Sequence, residues 1–216
     1  MYLYLPSAPD RIAQYAPETR LVAILRNPID RAFSHFLHLR RDGREGLTDF
    51  AAALAAEPER ITQNWAPAWH YRAVGNYAEQ LPRYWQRFPR QQLRVYLYED
   101  WQRDPAGFLR ELFEFIGVDA SFEARLGDRA NTTTQVQKNL GIHDFLTQDN
   151  PLKSALRRLI PARIRQPLAA KAYRANVSAP PRLTPELRAA ILPQFREEIL
   201  RTQDLIDRDL SAWLEV

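Results

Sequence analysis

Leu21-Val22-Ala23-Ile24-Leu25 is a short apolar run that stops at Arg26-Asn27-Pro28. Its length and β-branched content suit a strand buried on both faces. Asn27 followed by Pro28 is a helix-start signal, an N-cap residue ahead of an N1 proline. Apolar residues then recur at 29, 32, 33, 36 and 37, the one-faced spacing of a helix that reaches Arg41. Upstream, Ser7-Ala8-Pro9-Asp10 predicts a short helix to about Tyr15. A second strand reads as Leu93-Arg94-Val95-Tyr96-Leu97-Tyr98. Asp104-Pro105 opens a helix carrying Phe108, Leu109, Leu112, Phe113 and Ile116, with Gly117 where a C-cap glycine belongs. Thr184-Pro185-Glu186 opens a long C-terminal helix to about Arg208. The stretches 62–74 and 130–151 read as loops or irregular structure. Strands alternating with helices predict an α/β fold, a parallel sheet flanked by helices with a helical C-terminal part.

Composition narrows this picture. A chain of 216 residues, 45% hydrophobic, suits one domain over 1–216 with a sizeable core. A mean hydropathy of −0.47 and the lack of a long apolar run argue against a membrane span. No basic-then-apolar stretch opens the sequence, and a cytoplasmic protein is expected. With no cysteine, a disulfide scaffold, a thiolate metal site and a cysteine nucleophile are excluded.

The net charge of +4 is local. Lys153, Arg157, Arg158, Arg163, Arg165, Lys171, Arg174 and Arg182 fall between Asn150 and Pro185 with no acidic residue among them, leaving 22 basic against 26 acidic residues elsewhere. This divides the chain into a mildly acidic body, a basic helical or irregular insertion at 150–183 and a C-terminal helix at 184–214. The insertion has the charge to attract an anionic glycan, a lipid surface or nucleic acid. Its Leu152, Leu156, Leu159 and Ile160 fit a lipid-lying helix, but Pro151, Pro161 and Pro167 cut it into short pieces, and no nucleic-acid motif is present. The expectation is therefore no membrane and no nucleic-acid partner.

Arg26 stands at the carboxyl end of a parallel strand, the edge where open α/β sheets bind ligands. Ser34 lies two turns into the next helix. An arginine fork with a serine hydroxyl is a sensible clamp for a phosphate monoester. Equally, Arg26 pairing with a carboxylate and Ser34 on a solvated face fit the same residues. His35 and His38 lack further ligands at metal spacing, so no metal is expected. The loop around Trp65, Trp69, His70 and Tyr71 carries an unusual aromatic load. It fits either a sugar-stacking acceptor surface or a set of core anchors. Glu99 and Asp100 fit either orienting Arg26 or capping the next helix.

The segment Arg26-Asn27-Pro28-Ile29-Asp30-Arg31-Ala32-Phe33-Ser34-His35-Phe36 resembles the 3′-phosphate-binding motif of sulfotransferases that use 3′-phosphoadenosine 5′-phosphosulfate (PAPS). Further matches follow in order: Gly75-Asn76-Tyr77-Ala78-Glu79-Gln80-Leu81-Pro82-Arg83-Tyr84-Trp85, Phe88-Pro89, Leu97-Tyr98-Glu99-Asp100-Trp101, Asp104-Pro105, Phe115-Ile116-Gly117 and Leu210-Ser211-Ala212-Trp213-Leu214. The set is most similar to the bacterial and heparan-sulfate-type branch. The resemblance implies a P-loop-NTPase-like sheet, PAPS as co-substrate and sulfuryl transfer to a hydroxyl or amine of a small-molecule or glycan acceptor. It implies that Arg26 and Ser34 hold the 3′-phosphate. Lys138, beside Asn131-Thr132-Thr133-Thr134, is the candidate for a late cofactor-closing loop. His70, Tyr71 and Tyr77 are the acceptor-side candidates.

The same resemblance brings an expectation of incompleteness. Family members carry a first strand and a lysine-bearing phosphosulfate loop, followed by a Glu or His base. Here the first lysine is Lys138 and the seven glycines form no such loop. No catalytic base is assigned. Without its first strand the sheet would keep unpaired backbone groups and a bare apolar face, so the 216-residue chain is expected to be poorly stable. The alternative is a non-catalytic remnant that binds a 3′-phosphonucleotide or an acidic glycan.

Overall fold

A computed structural model of the protein describes residues 2–124, 133–147 and 161–216. Residues 150–160 of the basic insertion, with Leu152, Leu156, Leu159 and Ile160, and Asn131 and Thr132 lie outside the described residues.

Helix α1 (Ala8–Tyr15) leads into strand β1 (Leu21–Leu25) and helix α2 (Pro28–Arg41). Asn27 caps α2 as its sequence position suggests: Oδ1 accepts from the amides of Ile29 at 3.0 Å and Asp30 at 3.4 Å. Short helices α3 (Phe50–Ala55) and α4 (Glu57–Thr62) follow, then α5 (Tyr77–Trp85). Strand β2 (Leu93–Leu97) runs directly into α6 (Tyr98–Arg103) and α7 (Pro105–Ile116). Gly117 closes α7 at φ 80°, its amide donating to the Phe113 carbonyl, a left-handed cap that glycine adopts without steric cost.

The sheet pairs β1 with β2 in parallel, in register from Leu21↔Leu93 to Leu25↔Leu97. On its inner face Ala23, Leu25 and Leu97 join Ile29, Phe36, Leu81, Phe195, Ile199 and Trp213 in one core. The outer face differs from the expectation of a run buried on both sides. Val22 is 38% exposed and Ile24 52% exposed. The reason is coverage: α7 packs over the β2 side, with Phe108 against Tyr96 at 4.8 Å, and leaves the β1 side bare. A groove of about 340 Å³ runs along β1 beside Tyr2, Leu3, Ile12 and Tyr84.

Two other expectations are revised. The stretch 130–151 contains regular structure. Strand β3 (Val136–Gln137) is followed by helix α8 (Leu140–Thr147), and beyond helix α9 (Ala162–Ala175) strand β4 (Val177–Ser178) pairs antiparallel with β3. A two-residue ladder is too short for a periodic signal. It is held by polar bonds, such as the Lys138 amide donating to the Asn176 carbonyl at 2.7 Å. The long C-terminal helix is two helices, α10 (Pro185–Ile191) and α11 (Pro193–Ile206). Pro193 has no N–H to continue the ladder, although Leu192 keeps helical angles (φ −50°, ψ −40°). Helix α9 runs through Pro167 without ending. No helix among the described residues is long and apolar enough to cross a membrane.

Candidate functional site

The β1–β2 register brings two residues together. Arg26 follows Leu25 and Tyr98 follows Leu97, so both stand at the carboxyl edge of the paired strands. The Arg26 guanidinium lies 5.1 Å from the Tyr98 ring centroid, in cation–π distance. Among the described residues Arg26 pairs with no carboxylate, so the reading of Arg26 as half of an ion pair finds no partner there. Arg26 is half-buried, and its guanidinium fork makes no hydrogen bond among the described residues.

The backbone around Arg26 is held from three sides. The Tyr77 hydroxyl donates to the Arg26 carbonyl at 3.0 Å. Tyr77 is buried at the start of α5, and burial pushes its phenol pKa up, keeping it a donor. The preceding Gly75 lies so close to α2 that an added Cβ would stand 3.0 Å from the Pro28 Cβ. From the C-terminal turn Ser211–Leu214, the Trp213 carbonyl accepts from Asn27 Nδ2 at 3.2 Å and its indole donates to Glu99 Oε1 at 3.1 Å. Asp100 accepts from the Leu97 amide at 3.0 Å and from Arg208 at 2.9 Å. Asp100 therefore caps α6 and does not orient Arg26.

Ser34 is exposed on the solvent side of α2. Lys138 donates through Nζ to the Ala175 carbonyl at 2.9 Å, at the C-terminus of α9. Its neighbour Gln137 donates to the Arg41 carbonyl at the far end of α2, a helix about 20 Å long. The structure does not bring Lys138 to Arg26. His70 is buried, bonded through Nδ1 to the Tyr4 hydroxyl at 2.8 Å.

Tyr71 is fully buried and donates to Glu45 Oε2 at 2.6 Å. It is an anchor of the aromatic loop and presents no surface to an acceptor. Glu45 also receives Arg60 at 2.7 and 2.9 Å and the Leu47 amide at 2.9 Å. Burial by itself would raise the Glu45 pKa, but these donors outweigh it and hold the carboxyl below the usual range. His35 is lowered to about 4, first by burial and then by the Arg31 charge.

Tyr98, Trp213 and the Glu45–Arg60 pair were not among the candidate site residues, and Tyr98, expected to end the second strand, opens α6 instead. Tyr98 had a usable signal, since it and Arg26 are the first residues after the two apolar runs. Glu45 and Arg60 carry none, because buried and solvated charges look alike in sequence.

Arg26, unpaired among the described residues, thus lies over a tyrosine ring at the mouth of a parallel strand pair, the edge where open α/β sheets bind ligands. The model of the Sulfotransferase domain family matches residues 8–149. The chain belongs to this family. The solved sulfotransferase from Alicyclobacillus acidocaldarius is 32% identical and superimposes with a TM-score of 0.67, over 98% of this chain and 64% of that one. Human bifunctional heparan sulfate N-deacetylase/N-sulfotransferase 3 is 29% identical over 119 residues, 54% of this chain and 14% of that protein. Mouse heparan sulfate glucosamine 3-O-sulfotransferase 6 is 29% identical over 120 residues, 54% of this chain and 33% of that protein. The chain thus spans a third or less of the length of these two relatives and about two thirds of the solved neighbour.

Proposed function

We propose that the protein transfers a sulfuryl group from PAPS to a hydroxyl or amine of a carbohydrate-like acceptor, with Arg26 and Ser34 gripping the 3′-phosphate of the donor. The observation that carries this reading is the Arg26 guanidinium, unpaired among the described residues at the strand edge. The acceptor class is supported by relatives named for heparan sulfate. When bound, PAPS supplies the activated sulfuryl group. The chain's own part is to bind and orient: Arg26 neutralises the phosphate, and Tyr77 and Asn27 fix the backbone on either side of it. Tyr98 holds the guanidinium from its ring face.

A second reading, nucleotide binding without turnover, is favoured for these 216 residues alone by the position of the lysines. Lys138 lies at the opposite end of α2, bonded to the Ala175 carbonyl, and Lys171 lies on α9. Charge on a leaving phosphate needs a donor already in place, and losing one costs roughly 10²–10³ in rate.

Titration calorimetry with 3′,5′-ADP against 5′-AMP tests the nucleotide reading. Arg26 predicts that the 3′-phosphate strengthens binding by about tenfold or more, since a charge-assisted contact is worth at least that. Equal affinities would contradict it.

A further inference from the structure

Arg26, Asn27, Trp213, Glu99 and Tyr98 form a closed circuit. Arg26 and Asn27 are adjacent in the chain, as are Tyr98 and Glu99. Asn27 donates to the Trp213 carbonyl at 3.2 Å and the Trp213 indole donates to Glu99 at 3.1 Å. The circuit closes through the Arg26–Tyr98 contact at 5.1 Å. Trp213 and Asn27 are buried, so these bonds are shielded from competing water.

Glu99 is the unusual member. Its Oε2 is buried with no hydrogen-bond partner among the described residues, so the Trp213 indole is the donor that holds this carboxylate. Both Glu99 and Arg26 lie close enough to the Tyr77 hydroxyl to act on its charge. Glu99 is therefore a negative group at the same edge as the cation that a phosphate must find unpaired. We infer that Trp213 is a positioning residue, whose indole N–H keeps Glu99 turned away so that Arg26 stays open to an anion. This rests on the assignment of Arg26 to the nucleotide 3′-phosphate.

The mechanism is competition. A buried carboxylate that loses its donor seeks the nearest cation. Once Glu99 pairs with Arg26, an incoming phosphate must displace it. The C-terminal turn thereby sets the anion affinity of Arg26.

Binding of 3′,5′-ADP to the full chain, by calorimetry at a temperature where thermal scans show every variant folded, tests this. Trp213→Phe keeps an aromatic ring and the carbonyl bonded to Asn27 but removes the indole N–H. It should weaken binding by about tenfold. Adding Glu99→Gln to it should restore affinity to within about threefold of the starting protein, because a neutral amide does not neutralise Arg26. A purely structural role for Trp213 would give no such rescue. Undiminished binding in Trp213→Phe, or a double variant as weak as the single one, would overturn the inference. Should Trp213→Phe not fold, Glu99→Gln alone decides: unchanged or tighter binding supports the inference and weaker binding overturns it. If the unmodified chain does not bind 3′,5′-ADP, the nucleotide reading fails and the inference falls with it, an outcome distinct from binding that ignores Trp213.

Discussion

The Tyr77 hydroxyl donates to the Arg26 carbonyl at 3.0 Å, tying the first residue of α5 to the last residue before the α2 cap. The bond crosses 51 residues of chain and fixes the peptide from which the guanidinium projects. Tyr77→Phe leaves that carbonyl without its phenolic donor. The expected loss is about 1 kcal/mol in stability, read from urea unfolding, with a severalfold loss of 3′,5′-ADP affinity. Unchanged affinity would detach α5 from the site.

The buried Glu45–Arg60 pair predicts a large and asymmetric effect. Glu45→Ala strands Arg60 and the Tyr71 hydroxyl in the interior and should cost about 3–5 kcal/mol. Tyr71→Phe removes one donor among several and should cost about 1–2 kcal/mol. Denaturant midpoints for the two variants check the ranking, and similar losses would contradict it.

His35 makes stability depend on pH in mildly acidic solution. Its folded pKa is about 4, against an ordinary value of 6.5. Between those values the unfolded chain takes up a proton that the folded chain resists. Stability is therefore full above 6.5, falls as pH drops toward 4 and levels off below, a change on the order of 2–3 kcal/mol. Glu45 acts lower: its depressed pKa loses stability only as pH falls below the ordinary carboxylate range. His35→Gln should flatten urea midpoints between pH 6.5 and 4.5. An unaltered slope would place the effect elsewhere.

The bare side of β1 predicts aggregation of the 216-residue chain. Val22 and Ile24 are exposed on an edge strand whose outer side carries no partner strand among the described residues. Ile24→Lys should reduce light scattering on heating while leaving the unfolding free energy within about 0.5 kcal/mol, as surface changes do. Scattering unchanged by the lysine would show that this edge is not the sticking surface.

Much of this edge was legible before any coordinates. Leu21 to Leu25, the Asn27-Pro28 cap and Gly117 are local signals, and the structure uses each as its chemistry suggests. The position of Arg26 at the carboxyl end of β1 was legible too, because it follows the apolar run directly. Tyr71 was not. An aromatic in a proline-containing loop reads the same whether it faces a sugar or a carboxylate, and only the fold brings Glu45 beneath it. The placement of Lys138 was hidden for a related reason. Sequence distance from the motif says nothing about which end of α2 a later loop returns to, and β3–β4 pairing brings it to the C-terminal end. The interruption at Leu192 was readable in Pro193, but two prolines eight residues apart still permit one nearly continuous path.

The most direct test of the account is the affinity of the chain and of Arg26→Ala for 3′,5′-ADP, measured by calorimetry with folding confirmed by circular dichroism. The account predicts that binding by the unmodified chain falls in Arg26→Ala by about 10²-fold, the cost of a lost charge-assisted fork. Equal binding by the two proteins would contradict the assignment of this edge to the nucleotide.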